Sequence, residues 1–250
     1  MSSRLSDALD AAYKAGRLTL RYFQTGTAVD LKADDTPVTA ADREAESLIR
    51  GEIARCYPGE SVLGEEQGLT GAGDDRWVID PIDGTKSFVA GVPLYAVLLS
   101  YEVAGNPEVG VCYFPALDEM FYAEKGSGAF RNGRSIRVSE RRAIKGGTIV
   151  CGSIHNFARQ GRLDSLMAAC NDAQALRTWG DAYGHSLVAS GQADAMLDPI
   201  VNRWDISAMC LIVREAGGRF TDFRGNDALS NEAISANPFI HGTLVKAFPP

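Results

Sequence analysis

The chain has 250 residues, 45% of them hydrophobic and 23% charged, with 25 Lys and Arg against 32 Asp and Glu. This balance excludes a disordered tail, a collagen-like fibre and a coiled coil, and leaves enough chain for one large domain or two tightly joined ones. The net charge of −7 argues against nucleic acid and anionic membranes as partners, because no surplus of cations is available to displace their counterions; any small anionic ligand must then be attracted by something other than side-chain charge.

In chain order, residues 3 to about 24 read as a helix, with Leu5, Leu9, Ala12, Gly16 and Leu20 along one face. A polar loop runs through Asp34-Asp35-Thr36-Pro37. Thr39 opens a second helix, with Ala45, Leu48, Ile49 and Ile53 at helical spacing, which stops at Pro58-Gly59. Strands are expected at Ser61–Gly64 and Trp77–Asp80, then at Leu94–Val103, Glu108–Phe114, Glu119–Glu124 and Ser135–Val138, with a hairpin turn at Asn132-Gly133. The pattern changes near Glu140–Gly147. Beyond it Thr148–Ser153, Leu176–Trp179 and Ala195–Asp198 read as strands. Leu163–Ala169, Ala182–Ser190 and Asp205–Glu215 read as helices, the last closed by Gly217-Gly218. The alternation predicts an α+β or layered α/β protein, with an N-terminal half over 1–143 and a C-terminal half over 144–250.

No segment at the N-terminus has a signal-peptide core, and no stretch approaches the ~20 apolar residues of a membrane-spanning helix. Five cysteines, at 56, 112, 151, 170 and 210, include no C-x-x-C pair. An odd, scattered set argues against a disulfide framework or a structural zinc site, and the thiols read as small buried residues. A cytoplasmic protein is expected. His155, His185 and His241 are not at metal-ligand spacing and read as structural or exposed.

The densest chemical signal is Trp77-Val78-Ile79-Asp80-Pro81-Ile82-Asp83-Gly84-Thr85. An apolar strand ends at Asp80, and Pro81, lacking an N–H, stops the ladder. A turn there can bring two carboxylates to one side, and the amides of Gly84, Thr85 and Lys86 can cradle an anion. Two close carboxylates repel unless a divalent cation lies between them, and hard oxygens suit Mg²⁺ or Mn²⁺ better than zinc. A solvated Asp-Pro-Gly turn is the plain alternative. Gly64-Glu65-Glu66 ends a second apolar strand in acids. Asp205 precedes an apolar helix, where an N-cap is its ordinary role, and Asp42 stands three residues after Thr39, as the acid of a capping box does. Each acid has a plain reading alone. Four acidic points at element ends together mark a site.

At these residues the sequence resembles the inositol monophosphatase superfamily of metal-dependent phosphatases. The resemblance rests on Gly64-Glu65-Glu66, on Asp80-Pro81-Ile82-Asp83-Gly84-Thr85, and on Trp204-Asp205 followed by Ala208 and Glu215-Ala216-Gly217-Gly218. It implies a layered αβαβα sandwich of two sheets, a homodimer, two or three Mg²⁺ ions (Mn²⁺ being an alternative) and hydrolysis of a small phosphate monoester. By matching position, Glu65, Asp80 and the Ile82 carbonyl would hold one ion; Asp80, Asp83 and Asp205 a second; Glu65, helped by Glu66, a weaker third. Thr85, hydrogen-bonded to Asp42, would orient the attacking water with Glu65. Asp83, Gly84 and Thr85 would also contact the substrate.

Within the superfamily, Lys86 stands where inositol monophosphatases more usually carry Asn. It is similar to histidinol-phosphate phosphatases and to 3′-phosphoadenosine phosphatases. Gly180-Asp181-Ala182-Tyr183 resembles the histidinol-phosphatase branch. Histidinol phosphate carries an ammonium and an imidazole, for which Asp181 and Asp198 are suitable acceptors. Arg177 could meet phosphate or pair with a surface acid, and Asp181 could instead cap the helix that follows it. The expected function is Mg²⁺-dependent hydrolysis of L-histidinol phosphate in histidine biosynthesis. The rivals are an inositol-1-monophosphatase or a broad small-monoester phosphatase, and, from another class, a non-catalytic cation- or phosphate-binding protein.

Overall fold

Helix α1 (Ser3–Thr19) starts where the Ser2 hydroxyl accepts the amide of Leu5 at 3.2 Å. It ends earlier than its apolar pattern suggests, because the chain turns at 20–26, where Gln24 and Gly26 take positive φ. The computed structural model describes residues 1–26, 28–31 and 37–248; the expected loop at Asp34-Asp35-Thr36 lies outside them. Strands β1 (Val29–Leu31) and β2 (Pro37–Thr39) pair as a small ribbon and lead into α2 (Ala40–Cys56). Then follow β3 (Ser61–Gly64), β4 (Gly68–Thr70), β5 (Arg76–Asp83), the short α3 (Thr85–Val89), β6 (Ala96–Val103), β7 (Asn106–Phe114), β8 (Glu119–Glu124), β9 (Ala129–Arg131) and β10 (Arg134–Ile136). β9 and β10 form a hairpin turned by Asn132 and Gly133, both at positive φ, as the dipeptide predicts. These eight strands, β3 to β10, make one sheet in the order β10-β9-β8-β7-β6-β5-β3-β4.

The remaining elements are β11 (Thr148–Cys151), α4 (Ile154–Arg159), α5 (Leu163–Ala169), β12 (Ala175–Arg177), α6 (Asp181–Ala189), β13 (Ala195–Asp198), α7 (Arg203–Glu215), β14 (Arg219–Thr221), β15 (Ala233–Ala236) and α8 (Pro238–Ala247). Their strands form a second, five-stranded sheet in the order β12-β11-β13-β15-β14.

Three apolar cores stack these parts. Ala8, Ala12, Ala45 and Ile49 of α1 and α2 pack on Trp77, Ile79, Leu99 and Val111 of the large sheet. Its other face, through Leu98, Cys112 and Phe121, meets Val188, Met209 and Ile212 of α6 and α7, which also cover Val150, Met196 and Ala233 of the small sheet. On the far side Phe157, Leu166, Ile240 and Leu244 cover Ile149, Leu197 and Ile234. The order is helix, sheet, helix, sheet, helix, the layered sandwich that the resemblance implies. All five cysteines are free; four are buried and Cys56 is half-buried. No helix among the described residues is long and apolar enough to cross a membrane.

One expectation is corrected. β5 does not stop at Pro81 but runs to Asp83. Asp80 pairs with Leu98 and Asp83 with Ala96, so three steps on β5 oppose two on β6. Pro81 sits in the resulting β-bulge, where its missing N–H costs no ladder bond.

Candidate active site

Side chains alternate along a strand, so residues three apart ordinarily face opposite sides. The extra residue in the β5 bulge reverses that parity. Asp80 and Asp83 therefore share the face of their partners Leu98 and Ala96, the face that α7 covers. Asp205, in the first turn of α7, completes the group: one carboxylate oxygen each from Asp80, Asp83 and Asp205 lie within 4.8 Å of one another. Asp205 is not the N-cap. Asn202 is, and Asp205 accepts its amide at 2.7 Å as the acid of a capping box. The other carboxylate oxygen is left for the cluster. The start of α7 is fixed by a buried network: Ser100 donates to Ser207 at 2.7 Å, Ser207 to Glu102 at 2.7 Å, and Arg203 and Arg76 donate to Glu102 at 2.9 and 3.1 Å. Sequence reasoning missed this network.

Asp42 forms the capping box expected of it. It accepts the Thr39 amide at 2.7 Å and hydroxyl at 2.6 Å, both on Oδ2. Its Oδ1 is buried with no hydrogen-bond partner. The hydrogen bond expected between Thr85 and Asp42 is not formed. Thr85, three residues on in a tight turn, donates to the Ile82 carbonyl at 3.0 Å instead. Asp80 accepts the Ile82 amide at 3.0 Å, which bends the bulge back on itself. Trp204 Nε1, on the residue before Asp205, is the other buried side-chain atom without a partner among the described residues.

Glu65 and Glu66 form the turn between β3 and β4, and the Glu65 carboxylate reaches Asp80. Sequence reasoning also missed Glu46, one turn after Asp42 on α2. It is fully buried and accepts the amides of Glu66 at 2.7 Å and Gln67 at 3.1 Å. Its signal was an acid on the same face as Ala45 and Ile49. A Cβ on Gly64 would stand 2.1 Å from Glu46 Oε1, so a larger residue there would have to displace the Glu46 carboxylate.

Across the cleft, Asp83 Oδ2 accepts the Ala182 amide at 2.8 Å, which docks the start of α6 on the bulge. Asp181 does not cap α6. Gly180 is its N-cap, and Asp181 takes φ +57, with its carboxylate against Gly84 and in electrostatic reach of Lys86. Asp198 ends β13, buried against Gly152, where an added Cβ would lie 2.7 Å from its Oδ1. Asp83, Asp181, Asp198, Asp205 and His185 line one cavity of about 50 Å³. His185 is buried, its Nδ1 2.8 Å from Ser235 Oγ; burial pushes its pKa down to about 3, so the ring is neutral. Gly84 leads into α3 in a left-handed conformation, and α3 presents the first amides of Thr85 and Lys86. Arg177 is not drawn into this group. It stays exposed at the end of the outer strand β12 and donates to the Leu176 carbonyl at 3.0 Å.

The electrostatics describe a site built for a cation. Burial first, then Glu65, Asp83 and Asp205, push the Asp80 carboxyl well above the usual range. Burial and then Asp181 and Asp205 do the same to Asp83. Asp205 is pushed up to about 7 by burial, against the Asn202 amide and with Glu65 and Asp181 adding to it. No lysine or arginine reaches the three acids among the described residues. Hard oxygen donors at this spacing could hold a divalent cation.

Known proteins resemble the chain over nearly its whole length. The model of the inositol monophosphatase family matches residues 1–249. The histidinol-phosphatase of Chlorobaculum parvum is 43% identical, with 99% of this chain and 97% of that protein covered. A fructose-1,6-bisphosphatase/inositol-1-monophosphatase of Thermotoga maritima is 38% identical, with 97% and 94% covered. The solved structure of the extragenic suppressor protein SuhB from Bartonella henselae superposes with a TM-score of 0.93 at 34% identity, over 98% of each chain.

Proposed function

Because the chain belongs to the inositol monophosphatase family, we propose that it is a Mg²⁺-dependent phosphatase whose substrate is L-histidinol phosphate. Asp80, Asp83, Asp205, Glu65 and the Ile82 carbonyl would hold two ions, with Glu65 and Glu66 serving a weaker third. Bound there, the ions would lower the pKa of a water and neutralise phosphoryl and leaving-group oxygens. The chain's own groups do the rest. Thr85, its proton committed to the Ile82 carbonyl, offers lone pairs to one O–H of the attacking water. Glu65 accepts the other, and the buried Asp42 Oδ1, without a partner of its own, would serve as a further acceptor. The amides after Gly84 face the phosphate, with Asp83 shared between ion and substrate. Phosphoryl transfer needs little covalent chemistry beyond this placement.

The observation that carries the choice of substrate is the second carboxylate pair. Asp181 and Asp198 line the same cavity as Asp83 and Asp205. Burial, then Asp181, push the Asp198 carboxyl well above the usual range. A ligand with an ammonium and an imidazole would neutralise this pair, whereas an inositol ring brings hydroxyls and no counter-charge. The Chlorobaculum relative bears the matching name, and the Thermotoga relative keeps the inositol ester as the competitor to test. Purified protein with Mg²⁺ should release phosphate from histidinol phosphate with a higher kcat/KM than from inositol 1-phosphate, and from neither with EDTA. A preference for inositol 1-phosphate overturns the substrate. Mg²⁺ binding without turnover of any ester overturns the enzyme.

A further inference from the structure

Resting on the metal-dependent reading above, we infer that the Glu46–Arg50 pair of α2 is the positioning device for Glu65, and so sets the affinity of the weaker third ion that Glu65 and Glu66 serve. Neither residue belongs to the acidic cluster. Glu46 takes the amides of Glu66 and Gln67 and the Arg50 Nε–H at 2.7 Å. Arg50 goes on to donate to the Gly68 carbonyl at 2.6 Å and the Thr70 hydroxyl at 2.9 Å. Gln67 donates to Ser47 at 2.9 Å. These bonds tie the turn after Glu65 to α2. On its other side the Glu65 amide donates to the Ile79 carbonyl at 3.2 Å, one residue before Asp80. Glu65 is pinned between a sheet bond and a helix-held amide, with its carboxylate directed at Asp80.

A short hairpin closes without a buried ion pair. Burying Glu46 costs desolvation that is offset only because Arg50 and two amides satisfy it. Charge-assisted bonds of this kind hold one geometry tightly. Metal ligands require such precision, since donor distances must hold within about 0.2 Å. The absent Cβ at Gly64 belongs to the same device, because it lets the Glu46 carboxylate sit directly under the turn.

The test uses the full chain and Mn²⁺ as probe, titrated by electron paramagnetic resonance, with circular dichroism melts in EDTA to establish folding. In Glu46→Gln the shape is kept and the charge is lost. The weakest Mn²⁺ site should loosen about 10–100-fold, as when other outer partners of metal ligands are removed. At fixed Mg²⁺, kcat should fall with KM unchanged, and it should recover as Mg²⁺ is raised. Arg50→Lys, which keeps a cation and loses the fork to Gly68 and Thr70, should move the same readings less far. It decides the question if Glu46→Gln does not fold. Wild-type Mn²⁺ affinity in the folded variants, or lost activity that excess Mg²⁺ does not restore, overturns the inference. If the wild type hydrolyses no ester, the phosphatase reading fails, and the Mn²⁺ comparison still decides the role of Glu46.

Discussion

Asp42 and Asp205 occupy the same local position, the acid of a capping box in the first turn of a helix. Each gives one oxygen to its own helix, which leaves the other uncommitted to the cap. A cap role and a ligand role do not exclude each other in such a residue, because a carboxylate has two acceptor oxygens. Asp83 divides its oxygens in a similar way, with Oδ2 on the Ala182 amide. An ion in such a site supplies several kcal/mol of charge stabilisation in the transition state. Asp83→Asn should accordingly lower kcat by about 100-fold or more. In EDTA the same variant should melt at the wild-type temperature or above it, since one charge has left a repelling group. Full activity in Asp83→Asn would refute the ligand assignment. The acids at element ends were legible because Asp, Pro and Gly signal turns by their own backbone chemistry. The partner of Thr85 was not, because it depends on whether a hydroxyl meets Ile82 or Asp42 first once the turn has closed.

At the scale of elements, the β5 bulge and the β13 terminus do most of the arranging. Sequence reasoning took Pro81 as the end of the strand; pairing instead resumes at Asp83, and the added residue is what puts both aspartates on one face. At the end of β13, the missing Cβ of Gly152 lets the buried Asp198 carboxylate lie against β11. Gly152→Ala should displace that carboxylate. A charge-assisted bond to the substrate is worth about 1.5–3 kcal/mol, so KM for histidinol phosphate should rise about tenfold or more. Turnover of p-nitrophenyl phosphate, which has no cationic group, should change little. Equal losses on both esters would mean that Asp198 does not read the substrate's charge. Neither contact could be read along the chain, since each joins residues from different strands.

For the whole molecule, the opening charge count gains a direction. Acids whose folded pKa is raised bind protons that the unfolded chain releases, so their contribution weakens as pH climbs from the unfolded value near 4 through the folded one. For Asp205 that window ends at about 7, and Asp80 and Asp83 shift the same way. In EDTA the melting temperature should therefore fall between pH 5 and pH 8. Saturating Mg²⁺ should raise it, and by more at pH 8, because protons compete with the ion for the same oxygens. A metal-free protein that is equally stable across this range would count against the clustered carboxylates. By itself the sequence determined the periodicity of helices and strands, the hairpin at Asn132-Gly133, the capping box at Thr39 and Asp42 and the list of acids, because propensity, turn chemistry and capping act over a few residues. Only the tertiary structure decided that those acids share one cleft, that Glu46 and Arg50 hold the turn beneath Glu65, and that Arg177 stays outside. Those outcomes depend on bulge parity, on helix-to-sheet packing and on which backbone amides a buried carboxylate reaches, and each joins residues far apart in the chain.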